Sequence, residues 1–180
     1  MFRFRHHPRA RRLARRHPEI NQALQLLESG QPGEAAKMFS QIAQELEASR
    51  QPRRAANLHA QAAYAFIDAK DVASAQAHSL TALRLFLDHH MLLRARQFYN
   101  NITHNFQSQG MAAAAEALQK AYAPQFGSLP DQPSPASKPS LGRLPVACTQ
   151  CGGPIRPIEA DWIDDHTIQC VYCGALIQAS

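Results

Sequence analysis

The sequence predicts a mainly α protein: an antiparallel helical-hairpin repeat of about six helices, followed by a small β module that holds a metal. Three observations carry this. Small-residue pairs recur about every twenty residues, apolar stripes of helical period lie between them, and all four cysteines fall in the last 33 residues as two Cys-x-x-Cys pairs. At 180 residues, 45% hydrophobic and 18% charged, the chain can bury the core of one modest domain with an appendage.

Residues 1–17 come first and read as a basic, disordered arm. They hold seven arginines (Arg3, Arg5, Arg9, Arg11, Arg12, Arg15 and Arg16) and no acid, so the rest of the chain is mildly acidic. Guanidinium groups pair bidentately with phosphate, and Phe2 and Phe4 add rings able to stack or insert. These seven arginines are therefore the candidate contacts to nucleic acid or another anionic surface. The arm lacks the apolar segment of a secretory signal, and no stretch has the ~18–20 apolar residues of a membrane span. A cytoplasmic location is expected.

The helical body is expected over residues 18–123. The recurring pairs are Ala35-Ala36, Ala55-Ala56, Ser74-Ala75, Arg94-Ala95 and Ala114-Ala115. Breaks recur with them, at SGQPG (29–33), SRQP (49–52), AKD (69–71), DHH (88–90) and SQG (108–110). Pro32 and Pro52 suit the first turn of a helix, where the missing amide would have no intrahelical partner. Between the breaks run stripes such as Ala35, Met38, Phe39, Ile42 and Leu46; Val72, Leu80, Leu83 and Leu87; and Leu92, Ala95, Phe98, Ile102 and Phe106. With an opening helix near 19–29 and a last one near 111–122, six helices of about 16 residues follow, each about 24 Å long at 1.5 Å per residue. Links of a few residues make neighbours antiparallel. The period is compatible both with an open stack and with a closed bundle.

Residues 124–145 hold six of the twelve prolines and few large apolar side chains, so they read as a Pro-rich linker that lets the tail move relative to the body. Residues 146–180 contain Cys148, Cys151, Cys170 and Cys173, with 18 residues between the pairs. That spacing suits one structural Zn²⁺ held by four thiolates, two from each tight turn. Gly152 and Gly174 follow the second cysteine of each pair and let the turn amides face the sulfurs. Trp162, Ile168, Tyr172 and Ile177 are the candidate core of a module too small to fold without its metal. A filled shell leaves no place for a substrate water. Cys-x-x-Cys pairs also support a second reading, a zinc–thiolate redox switch. The adjacent pairs His6-His7 and His89-His90 lack carboxylates at ligand spacing.

Two resemblances follow from these residues. The stretch QALQLLESGQPGEAAKMFSQIAQEL resembles a tetratricopeptide unit, through Leu26-Leu27, Gly30, Ala35-Ala36, Phe39 and Ile42-Ala43. Extended over about 19–123, it implies a concave surface that binds a peptide or another helix. The paired Cys-x-x-Cys-Gly turns resemble the zinc-ribbon family over about 146–179. That module has Arg156 against Glu159, Asp161, Asp164 and Asp165, so it repels phosphate and is expected to contact protein. Without a nucleophile–base pair or a phosphate-cradling glycine loop in the sequence, a non-enzymatic protein-interaction adaptor is the expectation.

Overall fold

The computed structural model describes residues 17–126, 144–155, 161–162 and 166–179. The seven arginines of the arm lie outside the described residues. Six helices lead: α1 (His17–Glu28), α2 (Pro32–Ala48), α3 (Pro52–Asp68), α4 (Val72–Asp88), α5 (Leu92–Ser108) and α6 (Ala112–Phe126). Three short strands follow, β1 (Asp161–Trp162), β2 (Thr167–Gln169) and β3 (Leu176–Gln178).

The helices from α2 to α5 are each 17 residues long, and the links after α1 to α5 are all three residues. All five links close in the same way. The middle residue is left-handed: Gly30 (φ 75°), Arg50 (56°), Lys70 (63°), His90 (58°) and Gly110 (76°), spaced twenty apart. The third residue of each link returns its amide to a carbonyl five residues back, at Leu26, Leu46, Phe66, Phe86 and Phe106, over 2.8–3.0 Å. This is the Schellman closure, which satisfies orphan carbonyls at a helix end. The alanines then fall at the matching point of each helix, and Ala35, Ala36, Ala55, Ala56, Ala75, Ala95 and Ala115 are buried. Without bulk beyond Cβ, they bring neighbouring helices together at their starts, while Phe39, Phe86, Phe106, Leu46, Leu58 and Leu83 fill the rest of the core. Each helix packs on its sequence neighbours, and α3 also meets α5 as α4 meets α6.

Two expected stripe positions differ. Val72 and Leu92 are exposed because they are the first residues of α4 and α5, outside the packed seam. Helix α6 runs three residues into the stretch expected to be linker. It passes through the exposed Pro124, and Phe126 is buried with its ring 5.0 Å from that of Tyr99.

Histidines also meet, and they are not the adjacent ones. His59 of α3 and His78 of α4 lie almost one period apart and stack at 5.0 Å. A chain of hydrogen bonds runs through them from Glu47 to Ser40. The Glu47 carboxylate accepts from His59 Nε2 (2.7 Å), His59 Nδ1 is hydrogen-bonded to His78 Nδ1 (2.8 Å), and His78 Nε2 is hydrogen-bonded to Ser40 Oγ (3.1 Å). Burial first, and the neighbouring His59 next, push His78 down from 6.5 to about 4.

The C-terminal module is a three-stranded antiparallel sheet in the order β1-β2-β3, with Ile168 paired to both Trp162 and Ile177. Ile168 and Ile177 point inward, while Leu176 faces solvent, as the two-residue period of a strand requires. Among the described residues, no helix is long and apolar enough to cross a membrane.

Two outcomes follow. A left-handed residue with a side chain costs ~1–2 kcal/mol, more than the ~0.5–1 kcal/mol that glycine loses in chain entropy. Arg50→Gly and His90→Gly are therefore each expected to stabilise the body by ~0.5–1 kcal/mol in urea unfolding; a lowered midpoint would contradict the turn assignment. The folded protein resists protonating His78, so between pH 6.5 and about 4 it binds fewer protons than the unfolded chain. Stability is then complete above pH 6.5 and declines as pH falls toward 4. Because His78 is only half-buried, the loss is expected on the order of 1–2 kcal/mol. His78→Gln should flatten that limb of the stability–pH curve.

Candidate functional site

The four cysteines are brought together by two turns built alike. In the first, the Cys148 amide bonds to Gly153 O (2.8 Å) and the Gly152 amide to Cys148 O (2.8 Å). In the second, Cys170 bonds to Ala175 O and Gly174 to Cys170 O, again at 2.8 Å. Gly152 (φ 70°) and Gly174 (φ 75°) take the left-handed conformation expected of them. The amides turn inward as a result: Gln150 N–H lies 3.4 Å from Cys148 Sγ.

All four cysteines are buried, and their sulfurs lie within 4.8 Å of one another. Cys148 and Cys173 are 3.7 Å apart at Sγ, as are Cys151 and Cys170. Disulfide sulfurs sit at ~2.0 Å, so these are not bonded pairs. A tetrahedron of sulfurs ~2.3 Å from a central zinc has edges of ~3.8 Å. The four thiols fit a metal ion of that kind, with each edge of 3.7 Å joining one cysteine from each turn. The cluster consists of cysteines alone. Cys151, donating toward Cys170, is pushed up, and Cys170, accepting from Cys151 and Cys173, is held far down. A bound cation would let all four serve as thiolates.

Ile168, Tyr172 and Ile177 are buried around the site, as expected of its core. One residue was not anticipated. Gly153 lies so close to the Tyr172 ring that a Cβ there would stand 2.5 Å from Cδ2. Its signal was a second glycine directly after a knuckle glycine, which the turn chemistry alone does not need.

The turns also touch the helical body. A Cβ on Gly152 would lie 2.8 Å from Asn21 Oδ1 of α1, and one on Gly174 would lie 3.3 Å from Arg54 Cδ of α3. Both turns thus lie against the helical body, and residues 127–143 of the expected linker lie outside the described residues. Arg54 is steadied by its bond from Nη1 to Gln51 Oε1 (2.7 Å).

Comparison of the chain with models of known families, with curated proteins and with solved structures finds no match.

A second candidate site lies on the body, where α3 and α5 face each other across an open cleft. Asn57, Gln61 and Tyr64 come from α3, at i, i+4 and i+7; Arg94, Gln97 and Asn101 come from α5, at i, i+3 and i+7. These spacings put each trio on one helix face. Ala60, Phe86 and Phe98 form the apolar floor, with Phe98 edge-on to Phe86 and Tyr64. Arg94 Nη2 donates to Asn57 Oδ1 at 2.7 Å, and the buried Asn57 donates in turn to Arg53 O. None of these cleft residues was singled out as a ligand contact by sequence, because glutamine and asparagine on a helix read as a solvated face.

The tight Gly153–Tyr172 contact makes the metal centre testable. The intact protein is expected to hold one zinc ion per chain by elemental analysis. Gly153→Ala should weaken that ion at least tenfold in competition with a colorimetric chelator, while the helical circular dichroism signal stays unchanged. Unaltered metal affinity would show that the ring does not constrain the turn.

Proposed function

We propose that the protein is a non-enzymatic protein-interaction adaptor, with a tetratricopeptide-like helical scaffold and a zinc-ribbon-like module held by one structural Zn²⁺. The supporting observation is the cleft between α3 and α5, where two facing helices offer paired carboxamides above an aromatic floor. Carboxamides both donate and accept, so they match the alternating N–H and C=O groups of a peptide backbone. The floor adds apolar contact. The partner is a peptide or a helix of another protein, met in the cytoplasm.

Zinc at Cys148, Cys151, Cys170 and Cys173 would cross-link the two turns and fold a module that buries too little surface by itself. The chain's own part is to present four sulfurs at tetrahedral spacing and to shield them beneath Tyr172 and the body. Four protein ligands close the shell, so the ion's role is architectural.

A pull-down with the full chain as bait tests the adaptor reading. Filling the cleft with Gln97→Trp is expected to lose partners that the chain lacking residues 1–17 still captures. Thermal melting of the variant confirms that it is folded. Recovery of every partner by residues 1–17 alone would reject the reading.

A further inference from the structure

We infer that the helical body completes the metal centre: Arg54 of α3 is the outer counter-charge of the loaded cysteine cluster, so metal binding and docking of the tail form one coupled equilibrium. This rests on the reading of the cluster as a structural zinc site and extends that site from the tail to the body.

Charge creates the need. A divalent ion held by four thiolates leaves the cluster with a net negative charge. All four cysteines are buried, and a buried charge is costly unless donors or an opposite charge face it. The turn amides meet part of this, as Gln150 N–H does at Cys148 Sγ. The tail offers little more. Over residues 146–180 its one arginine, Arg156, stands against Glu159, Asp161, Asp164 and Asp165, and there is no lysine. The further positive charge has to come from the body.

Arg54 is placed to supply it. A Cβ on Gly174, the residue directly after the ligand Cys173, would meet Arg54 Cδ at 3.3 Å and Nε at 3.5 Å. Gln51 Oε1 accepts from Arg54 Nη1 at 2.7 Å and steadies the guanidinium there. From β2, Gln169 Nε2 donates to Gly174 O at 3.2 Å and steadies the turn. Arg54 also lies in the first turn of α3, so the positive end of the helix dipole adds to the same side. A charge acts through space, so Arg54 needs no unused N–H to serve. Being half-buried, it is screened less than a cation in open water.

The first cysteine turn meets a neutral group, Asn21 Oδ1, 2.8 Å from where a Gly152 Cβ would stand. Asn21 and Arg54 are the equivalents, two whole units earlier, of Gln61 and Arg94 in the cleft. The repeat thus presents the same pair of positions twice, and at α1 and α3 they meet the two cysteine turns. Each meeting is through a glycine, which has no side chain to hold the turn away. A contact that favours the loaded tail must by linkage favour the metal, and the metal must favour the contact.

The test uses the full chain, zinc alone and a phosphine reductant. Zinc content is read by elemental analysis, and the urea midpoint of the helical signal is compared at saturating zinc and after chelation. One zinc per chain and a higher midpoint with zinc are expected, because the ion binds a state that includes the folded body. Arg54→Gln should weaken zinc by about tenfold or more in competition with a colorimetric chelator, and should reduce the rise in midpoint. Arg54→Lys keeps a point charge and should retain most of both. A midpoint unmoved by zinc would overturn the inference without any variant having to fold. So would zinc binding by Arg54→Gln equal to that of the unsubstituted chain, or a loss in Arg54→Lys as large as in Arg54→Gln. If one zinc is held and any of these occurs, the metal reading stands and only the coupling falls; a chain that holds no zinc would reject both.

Discussion

The architecture depends on one backbone event repeated five times: a left-handed residue that ends a helix and lets an orphan carbonyl of its last turn bond the amide three residues beyond that helix. Because the event recurs every twenty residues, each helix begins at the same phase as the one before. The alanines that permit close approach then coincide along the stack, and the large side chains meet one another instead of the alanines. Strict phase also fixes which faces are left uncovered. Residues 57, 61 and 64 of α3 oppose 94, 97 and 101 of α5 because the two helices are offset by two whole units.

Much of this was legible in the sequence, and the reasons differ by element. The helices announced themselves through apolar spacing and through Pro32 and Pro52, because those signals are local. The four-sulfur cluster was legible because metal ligation restricts both residue type and spacing, and the observed edges of 3.7 Å agree. The identical turn closures were less visible. Only Gly30 and Gly110 carry the residue that the conformation favours; Arg50, Lys70 and His90 adopt it against preference. Tertiary packing of the flanking helices overrides local propensity there. The Glu47–His59–His78–Ser40 chain spans three helices, so no run of neighbouring residues discloses it. The cleft was hidden for a related reason. Its amides look like ordinary surface until two helix faces are set opposite each other.

Helix α3 joins the two sites. Arg54, near its start, lies against the second cysteine turn, and one turn later Asn57 anchors the arginine of the cleft. Residues three apart on a helix share a face. The cysteine module therefore rests on the same side of α3 that borders the cleft, with Asn21 of α1 supporting the other cysteine turn. A partner held in the cleft would find the module nearby, and a shift of α3 would be felt at both places.

The uniform spacing of the turns has an evolutionary corollary. Excising one twenty-residue unit would reverse the direction of every later helix and deliver the cysteine module to the opposite end of the array. Excising or duplicating forty residues would preserve direction and change only the length. Natural variants of this architecture should thus differ by whole hairpins, an even–odd rule imposed by geometry rather than by any single contact.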